Sequence, residues 1–114
     1  MTSVAPSGFV VDGPEFATDR DLIDRLASGN VLCENYQPPS PQQISVCDSG
    51  AGTFSVMIYP SESAAASWYA TFGLPADYAE RPDPRWVWGP TWSVQCTSGE
   101  LCRSAQSVLG GRLI

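Results

Sequence analysis

Apolar and polar residues recur along this chain in two periods, and the switches between them lay out its elements. Residues 1 to about 17 follow neither period and carry Pro6, Gly8, Gly13 and Pro14. They read as a flexible N-terminal tail, docked locally at most through Phe9, Val10, Val11 and Phe16. Thr18 then caps a helix, with Asp21 three residues on in the manner of a capping box. Leu22, Ile23 and Leu26 form its apolar stripe, and Gly29 stops it. Val31 to Tyr36 is a short strand, ended by a loop that holds Pro38, Pro39 and Pro41, residues that cannot enter a ladder.

The period then shortens to two. Ile44 to Cys47 is a strand, Asp48 to Gly52 a turn of small residues, and Thr53 to Tyr59 the most regular strand of the chain. Phe54, Val56 and Ile58 fall on one face of it, and Ser55, Met57 and Tyr59 on the other. Ser61 caps a second helix that runs to about Phe72, with Ala65, Trp68, Tyr69 and Phe72 at helical spacing and Gly73 as its stop. A loop rich in Pro, Asp and Glu covers 74 to 84. Arg85 to Trp88 and Thr91 to Cys96 are strands on either side of Gly89-Pro90. Thr97 and Glu100 make a capping box for a third helix with Leu101, Ala105, Val108 and Leu109 as its stripe. Gly110-Gly111 ends it, and Arg112 to Ile114 is a last strand.

The order αβββαββαβ predicts an α+β fold: a single two-layer α/β sandwich over residues 18–114, with three helices on one face of a mostly antiparallel sheet. Any strand-helix-strand unit whose strands are parallel is expected to cross over right-handed. Phe54, Val56, Ile58, Leu22, Leu26, Trp68, Phe72, Val94, Leu101, Ala105 and Val108 are the expected core.

Composition narrows the function. The 114 residues carry six basic and twelve acidic side chains, net −6, with no lysine and no histidine. This balance argues against nucleic acid or an anionic membrane as a partner, and only 16% of residues are charged, too few for a carboxylate array that mimics DNA. No apolar run is long enough to span a membrane. The missing histidine removes the usual general base near neutral pH.

Four cysteines, Cys33, Cys47, Cys96 and Cys102, complete the inventory. Neither pair is C-x-x-C and no imidazole is present, so no metal site is expected, and no cofactor either. An even count in a short chain reads as a disulfide framework in an oxidising compartment, secreted or at the cell surface, in preference to the alternative of a cytosolic protein with four reduced, partly buried cysteines. Three connectivities are possible; the sequential one, Cys33 with Cys47 and Cys96 with Cys102, joins neighbouring elements and is the one expected.

Candidate chemistry is sparse. Glu62 and Glu100 lie in first helical turns, where a negative charge complements the helix dipole. Asp48 reads as an organiser of its turn, and Glu34 has no partner in the spacing. Tryptophans are more informative. Trp86 and Trp88 share one face of their strand beside the polar stretch Arg81-Pro82-Asp83-Pro84-Arg85. Aromatics next to arginine are hot-spot chemistry at interfaces. Tyr78, Arg81, Arg85, Trp86 and Trp88 are therefore the candidate binding residues, with no catalytic residue among them.

The C-terminal half also carries a resemblance. Gly89-Pro90-Thr91-Trp92-Ser93-Val94, followed by a helix ending in Leu109-Gly110-Gly111-Arg112, resembles uncharacterised small secreted or lipid-anchored α/β proteins of high-GC Gram-positive bacteria and their phages. Thr18 to Cys47 and Thr53 to Phe72 fit the upstream pattern of that group. The chain departs from it in its second cysteine pair and in lacking a lipobox cysteine near its start. The resemblance implies an extracytoplasmic compartment, with a lipid anchor possible on a removed upstream segment, and no reaction. The function expected is a non-catalytic domain that recognises a protein or a cell-envelope component through residues 78–92. The alternative is an inhibitor of an extracellular hydrolase, or such a hydrolase with a cryptic site.

Overall fold

A computed structural model describes residues 11, 13–39, 44–72 and 83–114. Three helices, α1 (Asp19–Ser28), α2 (Glu62–Thr71) and α3 (Gly99–Leu109), accompany six strands: β1 (Glu34–Gln37), β2 (Ile44–Ser49), β3 (Gly52–Ile58), β4 (Trp86–Trp88), β5 (Trp92–Cys96) and β6 (Arg112–Leu113). The chain order is the expected αβββαββαβ, in an α+β domain. The strands form one sheet in the order β1-β2-β3-β5-β4-β6, and every neighbouring pair is antiparallel.

Local signals set the helix starts. Thr18 Oγ1 accepts from the Asp21 amide at 3.1 Å and Ser61 Oγ from the Ala64 amide at 3.0 Å, each relieving one of the orphan donors of a first turn. In α3 the cap is one residue later than expected: Ser98 Oγ accepts from the Leu101 amide. Thr97 is drawn away because its hydroxyl accepts the Thr53 amide at 3.0 Å, fastening β3 to the end of β5.

The helices do not share a face. α1 and α3 cover one side of the sheet, where Leu22, Leu26, Leu101, Ala105 and Leu109 meet Phe54, Val56, Val87, Trp92 and Val94. α2 lies on the other side, where Ala65, Ala66 and Tyr69 meet Met57, Tyr59, Trp88 and Ile114. The expectation of three helices on one face is thus corrected, and the reason is topological. β3 and β4 both run antiparallel to β5, so β3–α2–β4 joins parallel strands across one intervening strand. β5–α3–β6 does the same across β4. Both connections advance in the same direction across the sheet, yet they leave strands of opposite sense. Two crossovers of one hand must then lie on opposite faces, as the strong preference for right-handed crossovers requires.

A sheet covered on both sides buries both faces of its central strand. Phe54 and Val56 are buried under α1 and α3, while Met57 and Tyr59 are buried under α2. The expected core holds for Leu22, Leu26, Phe54, Val56, Val94, Leu101 and Ala105, and Ile58 and Val108 are half-buried. Trp68 and Phe72 are exposed, 43% and 39%, against expectation. They flank the side of α2 that turns Ala65, Ala66 and Tyr69 to the sheet.

Both disulfides close as expected, Cys33–Cys47 beside the β1–β2 pair and Cys96–Cys102 between the end of β5 and the first turn of α3. Of the segment expected as a tail, the described residues lie against the body. Val11 is buried in the cluster under α2, and Phe16 packs edge-on against Trp92 at 5.8 Å. The Trp92 indole N–H donates to the Pro14 carbonyl at 2.7 Å. Gly89 makes room for that indole: a Cβ there would sit 2.0 Å from Trp92 Cε2.

Candidate functional site

Alternation along β4 turns Trp86 and Trp88 to the face that carries α2 and turns Val87 to the opposite one. Trp88 has no exposed surface. Its ring stacks parallel to Tyr59 at 5.5 Å and meets Tyr69 edge-on at 5.2 Å. Trp88, expected among the binding residues, is therefore not at the surface: α2 covers it, and it is the centre of the second core. Trp86, two residues earlier at the start of the strand, is half-buried.

From Trp88 the aromatic array continues outward. Trp86 lies 5.5 Å from Trp88, Phe72 lies 4.8 Å from Trp86, and Trp68 lies 5.7 Å from Phe72. Trp68 on α2 and Phe72 at its C-cap, still with helical backbone, are four residues apart and so stand on one helical face. The result is a run of rings from the buried Tyr59–Trp88 stack to a solvent-facing trio of Trp68, Phe72 and Trp86. A buried aromatic base fixes the outer rings, so they present apolar area with little side-chain freedom left to lose on binding.

The other candidates distribute differently. Tyr78 and Arg81 lie outside the described residues. Arg85 points away from the tryptophans. Its Nη2 and Nε donate to Asp83 Oδ2 at 2.6 and 3.1 Å, and its Nη1 donates to the Thr97 carbonyl at 2.7 Å. Asp83 Oδ1 in turn accepts the Gly99 amide at 3.1 Å. Arg85 therefore organises the N-terminus of α3 on the opposite face, and its guanidinium holds the Asp83 carboxyl below the usual range. The arginine that does reach the aromatic face is Arg112. It is registered with Trp88 across the β4–β6 pair, and directly opposed residues of an antiparallel pair project to one side. Sequence spacing gave no sign of this, because the two positions lie 24 apart in the chain with β5 and α3 between them.

A second polar constellation sits at the start of α1. Asp19 Oδ2 accepts both the Tyr36 hydroxyl and the Ser45 hydroxyl at 2.5 Å. The Arg20 guanidinium lies 4.7 Å above the Tyr36 ring. Burial acts to raise the Asp19 pKa. The bonds from Ser45, Tyr36 and the backbone N–H groups of Arg20 and Asp19 outweigh it and hold the carboxyl below the usual range. The same bond raises the Tyr36 phenol, since losing its proton would set two negative charges together. Ser45 is fully buried and its hydroxyl is committed to Asp19. The arrangement is a clamp tying α1 to β1 and β2.

The clamp has a pH signature. A depressed folded-state pKa contributes stability that is present above the unfolded value of about 3.9 and is lost as pH falls through the lower, folded-state value. Asp19→Asn should remove that part of the acid dependence and destabilise the domain by about 1–2 kcal/mol at neutral pH, the scale of a charge-assisted hydrogen bond. Urea unfolding of both proteins between pH 7 and pH 3 checks it. Parallel pH profiles would assign the acid sensitivity elsewhere.

Asp48 takes the structural role expected of it, accepting from Thr53 Oγ1 at 3.0 Å and Asn35 Nδ2 at 3.2 Å. Among the described residues no cluster of three or more acidic, cysteine or histidine side chains could hold a metal ion, and no helix is long and apolar enough to cross a membrane. Comparison of the chain with protein-family models, with curated proteins and with solved structures finds no match.

Proposed function

We propose that this chain is a non-catalytic, extracytoplasmic binding domain that recognises a cell-envelope component or envelope protein through Trp68, Phe72 and Trp86, with Arg112 on the same face. The observation that carries the reading is the outer trio of rings, kept in solvent on a base of buried aromatics. Apolar rings this large are normally drawn into a core, and rigid aromatics beside arginine are the side chains that dominate interface energetics. The two disulfides point to an oxidising environment. The resemblance to secreted proteins of high-GC Gram-positive bacteria and their phages directs the choice of target material.

The test is co-sedimentation with envelope fractions from such bacteria, comparing the wild type with Trp68→Ser and Phe72→Ser. Both side chains are exposed, so the variants should fold normally. Each should weaken binding by about 2 kcal/mol, roughly thirtyfold. Equal sedimentation of all three proteins, or none by the wild type, would remove the trio as a recognition surface.

A further inference from the structure

One cavity lies away from the aromatic trio, at the end of the sheet where β3 runs out and β5 begins. It is an open groove of about 890 Å³, within the roughly 300–1,000 Å³ typical of ligand sites. Phe16, Ile58 and Pro39 give it apolar walls. Glu15 and Asp19 add two carboxylates, and no basic side chain is among its described lining residues. Two acidic residues at a helix start would by themselves be ordinary solvated surface. Here they edge a cavity, and one of them is already oriented: both side-chain bonds to Asp19 fall on Oδ2, from Tyr36 and from the fully buried Ser45. Nor is the nearby cation turned into this groove. Arg20 lies over the Tyr36 ring and lines the adjacent, smaller groove with Ile23 and Leu32.

We infer that this groove seats an arginine side chain presented by an exposed segment of a partner polypeptide. An arginine stem is apolar enough to cover Phe16 and Ile58 while its head meets the carboxylates, and guanidinium–carboxylate pairs are the strong, directional kind. A lone metal ion would leave the apolar walls uncovered, and a neutral peptide would bring no charge to meet the exposed Glu15 carboxylate or the Asp19 carboxylate beside it. The net charge of −6 favours approach of a cationic segment from a distance. This site is independent of the aromatic trio and stands or falls separately from it.

The experiment titrates the isotopically labelled full chain with Ac-Gly-Arg-Gly-NH₂ and, in parallel, with its neutral isostere Ac-Gly-citrulline-Gly-NH₂, following amide and indole resonances. Amides of residues 15–19, 58, 59 and 91 should shift with the arginine peptide and not with the citrulline peptide. The response should weaken at higher salt. Glu15→Gln should loosen the arginine peptide about threefold, the scale of an exposed ion pair. Asp19→Asn, which keeps an acceptor for Tyr36 and Ser45, should loosen it about tenfold. If Asp19→Asn fails to fold, the Glu15 variant and the citrulline arm still decide. An equal response to citrulline, a Glu15→Gln variant that binds like the wild type, or shifts confined to the Trp68 and Trp86 indoles would each overturn the assignment.

Discussion

Replacing Trp88 with alanine is expected to destabilise the domain by about 3–5 kcal/mol, the range for deleting a fully buried large aromatic. The indole is entirely buried, stacked on Tyr59 and met edge-on by Tyr69, so the deletion leaves a cavity between α2 and the sheet. It also removes two aromatic pairs whose geometry adds to simple burial. Against a total stability of about 5–15 kcal/mol, that is enough to leave little folded protein at 37 °C. Trp86→Ala, two residues away on the same strand face, should cost about 1 kcal/mol, the centre of the range for single substitutions, because its ring is half-exposed. Urea unfolding of the two variants side by side reads the contrast. Equal losses would mean that α2 does not seal Trp88 as described.

Losing the Cys33–Cys47 disulfide is expected to cost about 3 kcal/mol, and losing Cys96–Cys102 about 2 kcal/mol, on the chain-entropy estimate for loops closed over 14 and 6 residues. Structure sharpens the first figure. Cys47 is fully buried while β1 is a four-residue edge strand, largely exposed, with Asn35 in the left-handed region at φ 52° and a register shift between Glu34 and Gln37. Besides its ladder to β2, the Tyr36–Asp19 bond, the Arg20–Tyr36 contact and the Asn35–Asp48 bond hold that strand, and the crosslink adds its only covalent side-chain tie to β2 among the described residues. Paired serine substitutions with denaturant unfolding, and peptide mapping of the oxidised protein, check both values and the pairing. A Cys33→Ser/Cys47→Ser protein as stable as the wild type would refute the first figure.

Elements were legible where a short-range rule decides them. Thr18 and Ser61 cap their helices because the capping geometry is local, and Phe54 to Tyr59 alternates because a strand must. Which face is interior is a different matter. Met57 and Tyr59 already hinted at a strand buried on both sides, being apolar opposite Phe54 and Val56. The position of α2 follows from how two crossovers of one hand pass the sheet, and no residue encodes that by itself. The same gap separated Trp86 from Trp88. Alternation put both rings on one face, and only the span of α2 distinguishes the covered ring from the rim ring. Trp68 and Phe72 show the inverse case. Their helical spacing looked like a core stripe, but the stripe that faces the sheet is the neighbouring one of Ala65, Ala66 and Tyr69. Arg112 reached the aromatic face through strand register alone, and Arg85 left it by one step of the pleat.

The central pairing of β3 with β5 matches Phe54 with Cys96, residues from opposite halves of the chain. Each disulfide closes within one half: Cys33–Cys47 on the side of β3, Cys96–Cys102 on the side of β5. No covalent bridge crosses the seam between them. A single backbone cut between Phe72 and Asp83 would therefore divide the protein into two internally crosslinked fragments, joined without a covalent bond by a five-pair strand ladder, the side chains packed above and below it, and hydrogen bonds such as Thr53 to Thr97 and Trp92 to Pro14. In that sense the molecule is two stapled pieces sharing one sheet, a natural division for reassembly from separate fragments.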